Sequence, residues 1–115
     1  MNAVIAKLAD AGCDVGKGLE TNYNEEQLYI SSLRAFAEDD TPQKMERAVK
    51  GNNPRQCKLY ACSLRRVLYN LGMTEMYYLN DSILSSAERG SSELARLVRR
   101  LVLKKNEMTA IIRSV

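Results

Sequence analysis

The sequence predicts an all-α fold, an up-and-down helical bundle in one domain over residues 1–115, and three observations predict it. Apolar residues recur at spacings of three and four through most of the chain, whereas alternation at period two is nowhere sustained and β-branched residues are sparse. The hydrophobic fraction is 45% with one Phe and no Trp. The core is therefore built mostly from Leu, Ile, Val, Ala, Met and some of the six Tyr, a composition that favours helices over a β-sandwich. The only prolines, Pro42 and Pro54, each follow a polar stretch and precede a periodic one, where the first turn of a helix accepts the ring. A chain of 115 residues can build one core without metals or disulfides. Short breaks between amphipathic helices favour antiparallel neighbours.

In chain order, a short amphipathic helix is expected around Val4, Ile5 and Leu8, ahead of "AGCDVGKG". The stretch "NEEQLYISSLRAFAED" predicts a helix with Asn24 as N-cap and Leu28, Ile30, Leu33, Phe36 and Ala37 as its apolar positions. Thr41-Pro42 and Asn53-Pro54 each supply a capping side chain followed by proline, so helices should begin near 42 and near 54. Gly51 and Gly72 close them as residues free to take the left-handed cap conformation. Thr74 is the expected cap of a helix carrying Met76, Tyr77, Leu79, Ile83, Leu84 and Ala87 and ending at Gly90. Ser91 or Ser92 then starts the last helix, with Glu93 in its first turn. Leu94, Leu97, Val98, Leu101, Met108 and Ile112 form its stripe, and Arg96, Arg99, Arg100, Lys104 and Lys105 lie mainly outside it.

Composition excludes several chemistries. Without a single histidine, the chain lacks the commonest general base, the commonest metal ligand and any phosphohistidine acceptor. Cys13, Cys57 and Cys62 are odd in number and contain no C-x-x-C pair, which argues against a disulfide framework or a zinc site. Reduced thiols, no cofactor and no metal are the expectation. No apolar run approaches the roughly 20 residues of a membrane span, and the start lacks the features of a secretion signal. A cytoplasmic chain without membrane insertion is expected. "GCDVGKG" lacks the order of a phosphate loop and any preceding strand, and no converging catalytic groups can be assembled from spacing.

Charge is unevenly placed. Residues 1–52 carry six Lys/Arg against nine Asp/Glu, and residues 53–115 carry eleven against five, giving −3 and +6. An acidic partner therefore suits the second half. The basic last helix is one footprint of nucleic-acid binding. However, the pI near 8.8 is modest and aromatic residues are not interleaved with the charges, so nucleic acid is not the expected partner.

The helix expected over 54–71 is the most informative. Arg55, Lys58, Cys62, Arg65, Arg66 and Tyr69 follow at spacings of three and four, opposite Cys57, Ala61, Leu64, Leu68 and Leu71. Val67 falls with the core residues. This ridge holds four cations and no anion, a surface suited to an acidic concavity on another protein. The neighbouring cations Arg65 and Arg66 favour a thiolate at Cys62, while Cys also serves as a small unreactive filler.

"CSLRRVLYNLG" resembles the signature helix of histidine phosphotransfer (Hpt) domains, of the kind H-x-L-K-G-x-x-x-x-[IL]-G. In that register Cys62 stands at the phospho-accepting histidine, Leu64 matches the leucine, Arg65 the lysine, and Asn70-Leu71-Gly72 the helix end, while Arg66 replaces the glycine. "AGCDVGKGLETNYNEEQLYISSLRAFAED" is similar to the family's opening segment, and "LNDSILSSAERGSSELARLVRRL" to its last two helices. The resemblance covers nearly the whole chain and implies a four-helix bundle with a short extra N-terminal helix. It also implies response-regulator receiver domains or a sensor kinase as partners in a phosphorelay. Cys62 cannot form the family's phosphoramidate, and Arg66 fills the space the glycine leaves for the partner. Phosphocysteine is disfavoured by that crowding and by the absence of a base. The expectation is a non-enzymatic receiver-binding module whose face is Arg55, Lys58, Cys62, Arg65, Arg66 and Tyr69. The alternatives are a structural or dimerisation bundle and a basic-helix nucleic-acid binder.

Overall fold

The computed structural model describes residues 2–114. These residues form seven helices: α1 (Ala3–Asp10), α2 (Val15–Thr21), α3 (Glu26–Ala37), α4 (Thr41–Lys50), α5 (Pro54–Leu71), α6 (Thr74–Arg89) and α7 (Leu94–Ile112). Among the described residues there is no strand, as the apolar periodicity predicts. The helix count departs from the expected four plus one. One reason is α2, whose seven residues include Gly16 and Gly18, a composition that weakens any helical reading of the sequence. It is started by Asp14, whose side chain accepts from the Lys17 N–H at 3.0 Å. The other is the break between α3 and α4, which Thr41-Pro42 predicts and the family's helix count omits: Asp39 accepts from both the N–H and the hydroxyl of Thr41, and α4 starts there as a separate helix.

α5 packs between α4 and α6, α7 packs against α4, α6, α3 and α1, and α2 lies on α5. The molecule measures 43 × 23 × 20 Å. The face of α5 turned to the core is Cys57, Ala61, Leu64, Leu68 and Leu71, spaced four and three as an amphipathic helix requires. Val67 lies outside it and is exposed, because it falls beside rather than on that stripe. Burial pushes the Cys57 thiol up to about 11, which makes it an inert filler.

Helix ends follow the expected residues in part. Asn53 caps α5 by accepting from the Gln56 N–H at 3.1 Å, and Gly72 and Gly90 close α5 and α6 in the left-handed conformation. Gly51 has φ −81°, and the left-handed residue beyond α4 is Asn52 at φ 56°. Asn24 is not the cap of α3: it and Tyr23 take positive φ in the preceding turn, and Glu25 holds the cap position with no side-chain bond. Thr41 and Thr74 lie inside the first turns of α4 and α6, one residue past the caps Asp40 and Met73. α7 begins at Leu94, later than expected, because Ser91 accepts from the Glu93 N–H in a turn of its own. On α3 the buried face is Tyr29, Ile30, Leu33, Phe36 and Ala37, while Leu28 is exposed.

Lys105 corrects the expected outer face of α7. It is 2% exposed, its ammonium donates to the Ala37 carbonyl at 3.2 Å, and it sits 5.0 Å from the Phe36 ring centroid. It thereby satisfies a carbonyl at the C-terminus of α3, where cations are favoured. Burial lowers its pKa below the ordinary 10.5, an effect that Asp39 partly offsets. In the alkaline window between the folded-state value and 10.5, the unfolded chain binds more protons at this group, so its contribution to stability rises with pH there. The thiols of Cys13 and Cys57, raised by burial to about 11, contribute stability that is lost as pH rises through the same window, so the Lys105 component is read as a difference. The urea midpoint of Lys105→Met should fall more steeply there than that of the unmodified chain. Equal slopes in the two proteins would exclude this role for Lys105.

Candidate functional site

The Asn53 cap and Pro54 start set the register of α5, so its outward side carries Arg55, Cys62, Arg65, Arg66 and Tyr69 exposed and Lys58 half-buried. The structure thus brings all six expected residues onto one side of the helix. It corrects one premise, that their charges have no acidic partner within the chain. Lys58 Nζ lies 2.8 Å from Glu88 Oε1 and Arg65 Nε 2.9 Å from Asp81 Oδ1, both partners on α6. Lys58 and Arg65 stand seven residues apart, as do Asp81 and Glu88. Two antiparallel helices therefore present matched rows. The hydrogen bond between them raises the pKa of Lys58 and lowers that of Glu88. In such exposed positions the pairs orient side chains more than they stabilise the fold. Among the described residues, Arg55 and Arg66 make no ion pair within the chain.

Beneath the ion pairs, Asn80 is fully buried and donates to the Ala61 carbonyl at 2.9 Å, fixing α6 against α5 at the residue just before Cys62. At the end of α5 the chain reverses through Gly72, whose carbonyl accepts from the Asp14 N–H at 2.8 Å. That bond docks the entry to α2 on the turn. As a result Lys17 lies 4.6 Å over the Tyr69 ring. The same reversal brings Tyr69 and Tyr77 to a centroid separation of 5.6 Å, with Tyr78 5.5 Å from Tyr77. The Arg65 guanidinium stands 5.3 Å from the Tyr77 centroid. These are cation–π and tilted aromatic contacts of useful strength at a surface.

Sequence reasoning missed Lys17, Tyr77 and Tyr78 as members of this face; Tyr77 also packs against the core, as its apolar position on α6 predicts. The adjacent tyrosines just past Gly72, opposite Tyr69 across a tight turn, were the available signal. A shallow depression of ≈ 390 Å³ is lined by Cys62, Arg65, Arg66, Tyr69 and Tyr77. A cleft of ≈ 140 Å³ adjoins it at Asp14, Lys17, Tyr69, Tyr77 and Tyr78. The depression offers guanidinium and phenol donors and one exposed thiol, with no carboxylate or imidazole on its lining to take a proton. It is built to hold an anionic group rather than to activate one.

The basic residues of α7 form no comparable surface. Arg96 pairs with Glu93, Arg99 with Glu46, and Lys104 with Glu75 and Glu107, while Lys105 is buried. Most of the positive charge a nucleic acid would use is compensated inside the chain. Among the described residues no three His, Cys, Asp or Glu side chains group as metal ligands, and no helix is long and apolar enough to cross a membrane. No family model, curated protein or solved structure matches the chain.

Proposed function

We propose that the chain is a degenerate histidine phosphotransfer-like domain, a cytoplasmic binding module for response-regulator receiver domains that carries no phosphate itself. On this reading α3 with α4, then α5, α6 and α7, correspond to the four helices of the family's bundle, and α1 and α2 precede it. The observation that carries the proposal is the exposed Cys62 at the family's histidine position, with Arg66 beside it lacking an acidic partner among the described residues.

Receiver domains of two-component signalling present acidic residues around their phosphorylated aspartate. Arg66, Arg55 and the remaining donors of Arg65 complement that charge, and the Tyr69, Tyr77 and Tyr78 cluster supplies apolar contact of the kind interfaces favour. A thiol cannot form the phosphoramidate of the relay, and the lining of the depression supplies no base to activate Cys62. The module would compete with a true phosphotransfer domain or sequester a regulator. A sensor kinase is the second partner of this class.

The test combines transfer and binding. The chain is incubated with receivers, with and without a phosphoryl analogue, and both retained phosphate and complex formation are recorded. The expected result is a complex, no phosphate on the chain, and at least about a tenfold loss of affinity in the Arg65→Glu, Arg66→Glu double variant. Phosphate at Cys62 would overturn the loss of relay. A complex indifferent to charge reversal would place the interface elsewhere. Absence of any complex would leave a purely structural bundle.

A further inference from the structure

Away from this face, three sulfur side chains from distant parts of the sequence converge. Cys13 lies in the turn between α1 and α2, Met73 is the N-cap of α6, and Met108 is on α7. Cys13 Sγ is 3.8 Å from Met73 Sδ and 3.7 Å from Met108 Sδ. Both methionines are 1% exposed, and Cys13 is half-buried. The backbone aims the cysteine inward: Gly12 turns the chain at φ 93° and the Cys13 N–H donates to the Leu8 carbonyl at 3.0 Å. Free space of ≈ 10 Å³ is lined by these three residues together with Thr74, Glu75, Met76 and Lys104. That is the scale of one small occupant.

The geometry points to a site for a single soft monovalent cation, Cu(I), held by the Cys13 thiolate and the thioethers of Met73 and Met108. Three considerations support it. Metal–sulfur bonds of about 2.3 Å in a trigonal plane hold their sulfurs about 4 Å apart, within a few tenths of an ångström of the two separations seen. A thiolate with two thioethers is a soft donor set that selects Cu(I), whereas zinc requires four ligands drawn from thiolates, imidazoles and carboxylates. Charge also discriminates. One thiolate neutralises Cu(I) and leaves no net charge in a largely buried position. Zn(II) would leave a positive charge there, because the nearby carboxylates of Glu75 and Glu107 are already paired with Lys104, at a high desolvation cost.

On binding, the thiol S–H bond breaks, the copper–sulfur bond forms and the proton leaves to solvent, with no change of oxidation state. The ion would tie the N-terminal segment to α6 and α7, and so raise the stability of the folded chain. Nothing in this inference depends on receiver binding.

The test uses the full chain with Cys62→Ser, which removes the exposed thiol, reduced and free of oxygen. It is titrated with Cu(I) against a chromophoric Cu(I) chelator, and the methionine methyl resonances are followed. One equivalent of Cu(I) should be retained, with the Met73 and Met108 methyls shifting most and that of Met45, which is not on this lining, unmoved. Met73→Leu and Met108→Leu conserve volume and should keep the fold. Each should weaken retention at least about tenfold, since even outer partners of a metal site contribute 10- to 100-fold. Excess Zn(II) should not displace the ion. Loss of all copper to the chelator would overturn the assignment. So would retention unchanged in both leucine variants or methyl shifts larger elsewhere than at Met73 and Met108. The shifts in the chain with both methionines report the site even if a leucine variant misfolds.

Discussion

Gly72→Ala should destabilise the protein by about 3 kcal/mol or more, for two separate reasons. Gly72 sits at φ 74°, a conformation that costs an L-residue about 1–2 kcal/mol. In addition, a Cβ there would lie 2.0 Å from the Asp14 carbonyl oxygen. That oxygen belongs to backbone held by the bond from the Asp14 N–H to the Gly72 carbonyl, so it cannot withdraw without undocking α2. Gly90 is the control. It is also left-handed, at φ 63°, but a Cβ there meets nothing within 4 Å, and Gly90→Ala should cost only about 1–2 kcal/mol. Urea midpoints of the two variants measure the difference, and equal losses would show that the contact with Asp14 does not constrain the turn. Because Lys17 reaches Tyr69 through this docking, Gly72→Ala should also disturb the aromatic face.

Tyr29→Ala should cost about 3–5 kcal/mol, the range for removing a large buried aromatic. Tyr29 is fully buried and its hydroxyl donates to the Leu71 carbonyl at 2.8 Å, satisfying an acceptor at the end of α5 that has no intrahelical partner. Tyr29→Phe isolates that bond and should cost about 1–3 kcal/mol, the penalty for an orphaned buried acceptor. The ring also explains Gly18, where a Cβ would stand 2.3 Å from the Tyr29 ring. Gly18→Ala should therefore be severe in the unmodified chain and nearly neutral in the Tyr29→Ala background, as expected of residues in direct contact. Additive losses in that double-mutant cycle would contradict the packing of α2 on α3.

These residues also show what the sequence makes legible. Apart from Val67, α5 was readable from end to end because its signals are local: a capping asparagine, a proline at the first turn, a core residue every three or four positions, and a glycine at the close. The six residues of its outer side follow from the same periodicity. Their electrostatic environment does not, because Lys58–Glu88 and Arg65–Asp81 join residues on different helices, and only their packing decides which charges meet. The second role of Tyr77, at the surface, was missed for a related reason. Helical spacing puts it near the stripe of α6, and only the Gly72 turn brings it against Tyr69 and Arg65.

Two further misses arise where local propensity and tertiary structure disagree. α2 contains two glycines that lower its helical score. One of them, Gly18, is required because Tyr29 occupies the space of a side chain. Lys105 reads as a solvent-facing cation on a basic helix, yet an end-of-helix carbonyl and an aromatic ring hold it inside. The sulfur cluster was hidden differently. A search for metal ligands by cysteine and histidine spacing passes over methionine, and Cys13, Met73 and Met108 become neighbours only through the fold.

The central proposal, receiver binding through the Cys62–Arg66 face without phosphate transfer, is tested most directly by competition. A histidine-bearing phosphotransfer domain is allowed to pass phosphate to its receiver while this chain is added in increasing amounts, and the transfer rate is followed. The rate should fall with concentration, the chain should end without phosphate, and Arg66→Glu should abolish the inhibition. An undiminished rate at saturating chain, or inhibition that survives Arg66→Glu, would contradict the proposal.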